Sequence, residues 1–482
     1  MQKNILLLLV IFVSPVLAMC QRGEKKASET HAIVIDPGKT MQTVEGWGSS
    51  LCWWAGQVGD WEESKVDSII DIITSPDHLN MNIFRYNIGG GDDPSHADGH
   101  MVKGKGKRAE MEGFKATEQS DYNWEADKAQ RTIMLKIREK RPDAVFEAFS
   151  NSPPYWMTYS GCSAGNDDAN KDNLKPEYYE AFCNYLLDVC KHYKEVYGIE
   201  FKTLEPFNEA TSNYWYNQGS QEGCHFEPET QMKIIRMLYP KLQATGMKTV
   251  ISASDETNIA SFIRVLKAYS EAGDILDKVG QLNTHTYSGS NPERIKANQL
   301  VREIGKEFWQ SETGPGGWPE RAGGFKNNLL LARKMFDDLN LMQPQAWLDW
   351  QLMEENNDVW CLMRCDFKTQ EYEIVKNLYV RMQITRFIKQ GYTLLSTDCE
   401  SALVAISPDK SEIVVAVNNP TENENRFSVE LGKLSGQLKA AEAYRTGTGE
   451  NCQKLPSLPF DGKTVNYLAP AISLTTFVFT LN

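Results

Sequence analysis

The sequence predicts an α/β protein, built as a (β/α)8 barrel with an attached antiparallel β-sandwich domain. Two observations predict it. Eight short apolar or β-branched runs alternate with helical patterns through the middle of the chain, and beyond residue 390 the apolar residues recur at every second position. Alternating strands and helices indicate parallel pairing, because parallel strands need crossover connections, whereas period-two strands separated by turns are typical of a sandwich.

The barrel prediction depends on eight strand–helix units. One helical stripe runs from Phe182 to Val196 at spacings of three and four residues, and Gly198 follows where a helix C-cap is expected. An open doubly wound sheet is the alternative, but the Gly-Trp-Gly segment at 46–48 lacks the third glycine of a dinucleotide-binding loop. The eight predicted strands lie near residues 44–50, 82–88, 144–150, 202–208, 248–254, 280–286, 306–312 and 345–351.

The C-terminal part of the chain predicts the sandwich, with strands near residues 402–406, 413–417, 427–431 and 475–481. The apolar run at 32–36 has no helix of its own, and we expect it to pair with this sheet, so that both chain ends build the small domain. The predicted division is residues 1–20, a signal peptide; 21–30, a tether; 31–45, the strand joining the C-terminal domain; 46–390, the barrel; and 391–482, the sandwich.

The amino-acid composition limits the kinds of molecule that this protein is expected to bind. The chain has 482 residues, of which 41% are hydrophobic and 24% charged, as in ordinary soluble proteins. Its net charge of −13 disfavours a nucleic-acid partner, because an acidic surface repels phosphate backbones. Twelve tryptophans suit a protein that binds flat, weakly polar faces such as sugar rings.

The N-terminus predicts export. An apolar run over 5–18 follows Lys3 and is too short to span a bilayer, which is typical of a signal peptide. Cys20 then lies where a bacterial lipoprotein is lipidated, although Met19 departs from the small residue usual before such a cysteine. We expect a location at the bacterial cell surface or in the periplasm, with membrane attachment only through a lipid on Cys20; cleavage and plain secretion is the alternative. Most of the other nine cysteines are expected to be buried small hydrophobes.

Two carboxylates end predicted strands of the barrel. Strand four ends in Asn208-Glu209 and strand seven ends in Ser311-Glu312. Reactive side chains of (β/α)8 barrels lie at the C-terminal ends of strands, and strands four and seven lie nearly opposite. Retaining glycosidases need two carboxyl groups about 5–5.5 Å apart, and Asn208 is placed to hold a sugar 2-hydroxyl. A structural ion pair at the rim is the alternative for either glutamate.

Four segments together resemble glycoside hydrolase family 30: GWGSSLCWW at 46–54, FRYNIGGG at 84–91, SNSPPYWM at 150–157 and WQSE at 309–312. The tryptophan-rich first segment is most similar to the endo-β-1,6-galactanase branch of that family. The glucosylceramidase branch would carry an Asp near Trp53 to hold the glycone, and its absence weakens a β-glucoside assignment. The resemblance implies that Glu209 is the acid/base and Glu312 the nucleophile. Glu209 should then hold a proton at neutral pH, with the charge of Glu312 raising its pKa.

Three further side chains are expected around the nucleophile. Arg85 ends strand two and would donate to Glu312 and keep it ionised. Tyr287 and His285 end strand six, and Tyr287 could donate to Glu312 or lie near the ring oxygen. The alternatives are a structural ion pair for Arg85 and buried packing roles for Tyr287 and His285.

Tryptophans at the same rim are candidate sugar platforms. Trp156 follows strand three, Trp350 follows strand eight, and Trp53 and Trp54 follow strand one. Trp350 is the best candidate for the floor of the −1 subsite, while packing is the common role of a tryptophan at a strand end. Asp93 lies in a long loop and is expected to bind substrate hydroxyls.

We expect neither a metal nor a cofactor. The acidic, histidine-containing loop at 92–100 lacks the ligand spacing of an EF-hand, and no HExxH zinc pattern occurs. The expected function is that of a retaining endo-glycosidase cleaving β-1,6-linked galactan side chains. The alternatives are hydrolysis of β-1,6-glucan or another β-linked glycan, and a non-catalytic, surface glycan-binding lipoprotein.

Overall fold

The computed structural model describes residues 30–93, 101, 109–314, 324–355, 360–434, 436–460 and 462–482. The predicted signal peptide, the tether up to residue 29 and the lipidation site Cys20 lie outside the described residues, as does most of the loop at 92–100. None of the helices in the described part of the chain is long and apolar enough to cross a membrane.

Eight parallel strands close into a barrel, as the sequence predicts. Two short strands, β1 (Thr30–Val34) and β2 (Thr40–Thr43), precede it. The barrel strands are β3 (Gly46–Ser50), β4 (Ile83–Asn87), β5 (Val145–Phe149), β6 (Thr203–Glu205), β7 (Val250–Glu256), β8 (Val279–His285), β9 (Glu307–Thr313) and β10 (Ala346–Asp349). Each strand pairs with its sequence neighbours, and β10 closes the barrel by pairing in parallel with both β9 and β3.

Helices cover the barrel, and their apolar stripes face it. In the predicted stripe, Phe182, Leu186 and Tyr193 are buried, and the helix ends at Gly198, whose φ of 65° lies in the left-handed region that glycine adopts readily. The helices are α1 (Ala55–Val58), α2 (Glu63–Thr74), α3 (Lys128–Lys140), α4 (Tyr179–Tyr197), α5 (Pro228–Ala244), α6 (Ile259–Glu271), α7 (Asn291–Ile304), α8 (Phe325–Asp337) and α9 (Lys376–Thr385). Strands and helices therefore alternate around one closed sheet.

A small sheet follows the last barrel strand, and the sequence analysis did not predict it. It comprises β11 (Met353–Glu355), β12 (Met363–Asp366) and β13 (Glu371–Ile374). Its strands are only three or four residues long, too short for a period of two to be visible in the sequence. The sheet matters for function because β11 begins three residues after Trp350 and so shapes the rim of the barrel.

Two sheets form the second unit, and both chain ends contribute to it. β1 pairs in parallel with β17, and β2 pairs with β14, so one sheet is mixed rather than purely antiparallel. The sheet orders are β19-β18-β21-β16-β15-β14-β2 and β1-β17-β20. The strands are β14 (Thr393–Leu395), β15 (Ala402–Ile406), β16 (Glu412–Asn419), β17 (Asn425–Glu430), β18 (Leu438–Gly447), β19 (Glu450–Lys454), β20 (Thr464–Ala469) and β21 (Ser473–Leu481).

The larger of these sheets joins two hydrophobic cores. Along β15, Leu403 and Ala405 pack into the core of the barrel and its helices, whereas Val404 and Ile406 pack into the core between the two sheets. This alternation follows from the opposite directions of successive side chains in a strand. The nine described cysteines are all buried. The larger sheet thus contributes side chains both to the core of the barrel and to the core between the two sheets.

Candidate active site

A cavity of about 740 Å³ opens at the C-terminal ends of the barrel strands, within the usual size range of ligand pockets. Polar and aromatic side chains share its wall. The lining residues are Trp53, Ala109, Asn151, Asn208, Glu209, Tyr214, Ser220, Gln221, Thr257, Tyr287, Glu312, Trp350, Gln351, Glu354, Glu355 and Trp360. Six predicted site residues therefore meet here: Trp53, Asn208, Glu209, Tyr287, Glu312 and Trp350.

Glu209 and Glu312 face each other inside this cavity. One carboxylate oxygen of each, together with a ring nitrogen of His285, lies within 4.8 Å of the others. Both glutamates are nearly buried, with exposed fractions of 6% and 4%. This separation is close to the roughly 5–5.5 Å that retaining glycosidases use and shorter than the roughly 6.5–9.5 Å of inverting ones.

The backbone around Glu209 is fixed from both sides. Glu209 has a φ of 50°, in the left-handed region that residues other than glycine rarely adopt. Its N–H donates to the carbonyl of Asp255 at 2.7 Å, and its own carbonyl accepts from the indole of Trp215 at 3.0 Å. These bonds hold an uncommon conformation that aims the carboxylate into the cavity.

Arg85 forms the floor beneath Glu312, as the sequence analysis expected. The guanidinium is fully buried and donates from Nη1 to Glu312 at 2.6 Å and from Nε to Glu147 at 2.9 Å, while Nη2 binds Asp255. Burial opposes its charge, but Asp255, Glu312 and Glu147 raise the pKa of Arg85 overall. One permanent cation therefore compensates three buried carboxylates.

Two residues from the end of β8 contact the glutamate pair. The Tyr287 hydroxyl donates to Oε1 of Glu312 at 3.0 Å. Nδ1 of His285 lies 3.1 Å from Oε1 of Glu209 and 3.5 Å from Oε1 of Glu312. Burial lowers the pKa of His285, although Glu312 and Asp255 oppose this. A lowered pKa disfavours a positive charge on this imidazole, whose Nδ1 is hydrogen-bonded to Glu209.

The two glutamates differ in environment. Burial raises the pKa of Glu209 to about 7, opposed by the Tyr214 hydroxyl and by Arg85. From the sequence, the charge of Glu312 was expected to raise this pKa, but the largest cause is desolvation of the Glu209 carboxyl. Tyr214 donates to Oε2 of Glu209 and lies 3.0 Å from the hydroxyl of Thr257. One carboxyl thus holds a proton near neutrality, while the other is paired with a guanidinium.

Asn208 contributes an amide beside this pair. Its side chain lines the cavity, and its buried Oδ1 has no hydrogen-bond partner in the part of the chain that the structure describes. Buried polar atoms without partners are uncommon, and in a cavity they mark a contact that a ligand can complete.

The tryptophans divide between the cavity and the protein interior. Trp350 and Trp53 line the cavity and meet edge to face, with ring centroids 5.8 Å apart. Trp54 is fully buried instead, and its indole donates to the carbonyl of Ser50 at 2.9 Å. Trp156 lies outside the cavity wall, half-buried against Tyr178, with its indole bonded to the carbonyl of Lys115 at 3.0 Å.

Asp93 also lies apart from the cavity wall. Its backbone N–H donates to Oδ1 of Asp92 at 2.9 Å, and its charge acts on the hydroxyl of Tyr155. The structure therefore does not bring Trp54, Trp156 or Asp93 together with the glutamate pair, since each belongs to a loop whose path the sequence pattern does not specify.

Several lining residues were not identified from the sequence. Tyr214 and Thr257 lie in loops without periodicity, and Trp360 follows the unpredicted strand β11. Gln351 and Glu354 gave a usable signal, because Gln351 ends predicted strand eight and Glu354 comes three residues later, which places both at the rim.

Among the described residues, Glu209, His285 and Glu312 are grouped closely enough to hold a metal ion. These are the same side chains that the carboxylate chemistry needs. Arg85 already compensates Glu312, and Tyr287 and Tyr214 already donate to the pair. The arrangement fits proton transfer and nucleophilic attack, because burial raises the pKa of Glu209 to about 7 and its neighbour Glu312 accepts a hydrogen bond from a guanidinium.

The fold and the site together define the class of protein. A closed (β/α)8 barrel that places two carboxyl groups within reach of one anomeric carbon, at the strand ends where barrel enzymes react, is the arrangement of an O-glycosyl hydrolase. The chain belongs to O-glycosyl hydrolase family 30, whose family model matches residues 30–359.

Two relatives act on β-1,6-linked galactose according to their names. The chain is 29% identical over 422 residues to an endo-β-1,6-galactanase of Hypocrea rufa, a match that covers 84% of this chain and 85% of the relative. It is 25% identical over 434 residues to an exo-β-1,6-galactobiohydrolase of Bifidobacterium longum subsp. longum, covering 70% of this chain but only 28% of that longer protein.

Solved structures share the whole architecture. A conserved exported protein from Bacteroides fragilis superimposes with a TM-score of 0.78 at 18% identity, covering 93% of this chain and 100% of that one. The catalytic domain of a family 30 xylanase from Talaromyces cellulolyticus gives a TM-score of 0.71 at 18% identity, with coverages of 93% and 100%. At this identity the likeness concerns the fold.

Proposed function

We propose that this protein is a retaining endo-glycoside hydrolase that cleaves β-1,6-linked galactan side chains by double displacement. Glu312 is the nucleophile and Glu209 the acid/base. The observation that carries this proposal is the asymmetry of the pair: their carboxylate oxygens lie within 4.8 Å, burial raises the pKa of Glu209 to about 7, and Arg85 donates to Glu312.

In the first step, Glu312 attacks the anomeric carbon of the bound sugar, and the bond from that carbon to the leaving oxygen breaks. Glu209 gives its proton to this oxygen, so the shortened glycan leaves as a neutral alcohol. Glu312 becomes esterified, and Glu209 is left as a carboxylate.

In the second step, Glu209 removes a proton from a water molecule as its oxygen attacks the anomeric carbon. The ester bond breaks, and Glu312 recovers its negative charge beside Arg85. Two inversions give net retention of the β configuration. Both steps use the same cavity, since one carboxyl serves as acid and then as base.

Three further residues support the reaction. Asn208 holds the sugar 2-hydroxyl through its unpartnered Oδ1, a contact that strengthens in the transition state. Tyr287 donates to Oε1 of Glu312 and Arg85 donates to Oε2, so the two bonds hold the carboxylate in position for attack. Trp350 lines the cavity next to the nucleophile strand and packs against a pyranose face.

The substrate assignment is supported by the galactanase relative, whose match spans most of both chains. In the decisive experiment, the enzyme is incubated with β-1,6-galactan, β-1,6-glucan and xylan. The sizes of the products are measured, and NMR identifies the anomer that forms first. We expect galactan oligosaccharides and a β-anomer. An α-anomer as the first product would reject double displacement. Hydrolysis of glucan alone would show that the substrate is β-1,6-glucan and not galactan. Sugar binding without turnover would favour a glycan-binding protein.

Export to the bacterial surface or periplasm is part of the proposal, with Cys20 as the lipidated residue. It is supported by the apolar run over 5–18 and the cysteine that follows. Cys20→Ser is expected to move the protein from the membrane fraction to the soluble fraction of its native host. A soluble wild-type protein would instead indicate plain secretion.

A further inference from the structure

Asn151 is a polar side chain of the cavity wall that the double displacement does not use. It lies two residues after the end of β5 and lines the cavity, with only 3% of its surface exposed. Within the described residues its side-chain amide makes one polar contact, from Nδ2 to Sγ of Cys52 at 4.0 Å. A thiol is a weak acceptor and this distance is long, so the amide oxygen and the amide N–H groups keep their capacity to bind a ligand.

The backbone of Asn151 is fixed by a buried polar chain. Its N–H donates to Oδ1 of Asn87 at 3.2 Å, and Nδ2 of Asn87 donates to Oε2 of Glu222 at 2.9 Å. Oε1 of Glu222 accepts from the N–H groups of Gly90 at 3.1 Å and Met111 at 3.3 Å. Asn87 and Glu222 are fully buried. The amide is therefore presented to the cavity from a fixed backbone, as a precise binding contact requires.

This amide lies next to Asn208 around the barrel. Phe149 of β5 pairs with Glu205 of β6 in a parallel register. Asn151 follows the first of these two residues, Asn208 follows the second, and both side chains line the cavity. Buried amides without a full set of partners are uncommon, and two of them at one rim indicate a ligand with neighbouring hydrogen-bonding groups. The hydroxyls of a sugar ring are such a set.

The order of the hydroxyls around the ring decides which of them Asn151 contacts. In the proposed mechanism the anomeric carbon lies between Glu209 and Glu312, and the 2-hydroxyl lies against Asn208. β5 adjoins β6 on the side away from β7, β8 and the nucleophile strand β9. Ring positions beyond C2 therefore lead towards β5, and the next hydroxyl along the ring is the 3-hydroxyl. An amide can accept from a hydroxyl and donate to it.

We infer that Asn151 binds the 3-hydroxyl of the sugar at the reacting position and thereby selects chains in which this hydroxyl is free. This inference rests on the proposed function. A β-1,6-linked chain uses the anomeric carbon and the 6-oxygen of each sugar, so the 3-hydroxyl is available. A β-1,3-linked chain uses the 3-oxygen instead, so it has no proton to donate there and carries its next sugar where the amide lies. Asn151 is thus a specificity-determining residue for the linkage.

The experiment measures kcat/KM for the nitrophenyl glycoside of β-1,6-galactobiose and for its analogue that lacks the 3-hydroxyl on the reacting sugar. The wild type should lose about tenfold or more on the deoxy analogue. Asn151→Ala should lose about as much on the parent substrate and little more on the analogue, because both changes remove the same hydrogen bond. Asn170→Ala is the control: it alters an exposed asparagine between β5 and α4, and both of its rates should equal those of the wild type.

Asn151→Ala retains the backbone N–H that Asn87 accepts, and its melting temperature establishes that it is folded. A folded variant that still loses about tenfold when the 3-hydroxyl is removed would overturn the inference. A wild type that hydrolyses the deoxy analogue at the parent rate would also overturn it, and this measurement needs no variant.

A second comparison uses the nitrophenyl glycosides of β-1,6- and β-1,3-galactobiose. The wild type should prefer the 1,6 linkage, and this preference should shrink about tenfold in Asn151→Ala. An unchanged preference would contradict the role in linkage selection.

Failure of the proposed function is recognised separately, because the wild type would then leave the β-1,6-galactobioside intact. Calorimetry with β-1,6-galactobiose and its 3-deoxy analogue would in that case test Asn151 without turnover. Weaker binding of the analogue by the wild type, but not by Asn151→Ala, would support the contact, and equal binding or no binding would overturn it.

Discussion

Arg85 and Glu312 form a buried ion pair in which Nη1 of the guanidinium lies 2.6 Å from Oε2 of the carboxylate. Arg85 belongs to β4 and Glu312 to β9, so the pair joins two barrel strands that are not neighbours. The same guanidinium also binds Glu147 and Asp255. The Arg85 guanidinium therefore both pairs with buried carboxylates of the barrel and contacts the proposed nucleophile.

Removing that cation should destabilise the barrel. Arg85→Met leaves Glu147, Asp255 and Glu312 buried without their counter-charge, and breaking buried pairs in this way costs about 3–5 kcal/mol. Urea unfolding measures the loss. Arg236→Ala is the control, because its partner Asp274 is exposed and little stability should change. Similar unfolding midpoints for both variants would contradict the structural role of Arg85.

The two glutamates should respond differently to amide substitution. Glu312→Gln is expected to lower kcat by about 10⁴-fold or more on every substrate, since the nucleophile is lost. Glu209→Gln should cost about 10²–10⁴-fold on galactan and much less on aryl glycosides whose leaving group needs no proton. Glu307→Gln, on the same strand as Glu312 but paired with Lys202, should keep wild-type rates. A wild-type rate for Glu312→Gln would reject the assigned nucleophile.

The pH profile should report the proton on Glu209. This carboxyl must be protonated to act as an acid and its pKa is about 7, so kcat/KM should be high below neutrality and fall as the pH rises through that value. The Tyr214 hydroxyl bond lowers this pKa, so Tyr214→Phe should move the alkaline limb to higher pH.

The control for this shift is Tyr216→Phe, which alters an exposed tyrosine two positions away in the same loop. Its alkaline limb should coincide with that of the wild type. A limb that does not move in Tyr214→Phe would mean that the hydroxyl does not stabilise the ionised form of Glu209.

Trp350 should contribute more to substrate affinity than Trp156. Trp350 lines the cavity, whereas Trp156 packs against Tyr178 outside its wall. Loss of an aromatic contact of this size corresponds to about 1–2 kcal/mol, so Trp350→Ala should raise KM for galactan oligosaccharides about 10-fold or more above the value for Trp156→Ala. The opposite order would place the sugar platform at Trp156 after all.

The barrel and the glutamate pair were predictable because their signals are local. Most barrel strands are short apolar or β-branched runs, and several of the helices between them show an apolar stripe, so eight units could be counted without knowing their contacts. Glu209 and Glu312 could be picked out because the C-terminal ends of the parallel strands together form the rim at which barrel enzymes react. The contact of Arg85 with Glu312 followed from the same geometry.

The positions of the remaining side chains of the site depend on packing between segments that are distant in the sequence. Trp53 and Trp54 are adjacent in the chain, yet one lines the cavity and the other is fully buried. Trp156 and Asp93 are residue types that often bind sugars, but neither of them lines the cavity. Tyr214 and Gln351 reach the cavity from irregular segments, and Glu354 reaches it from the short strand β11; none of these segments carries a periodic signal in the sequence.

By itself, the sequence determined that eight strands alternate with helices and that two glutamates stand at strand ends on one rim. Tertiary structure alone decided that Tyr214 would donate to Glu209, that burial would raise its pKa, and that Gln351 would hold Glu354 across the cavity. The reason is physical: periodicity is a property of neighbouring residues, whereas desolvation and hydrogen bonding depend on which distant segments the closed barrel brings together.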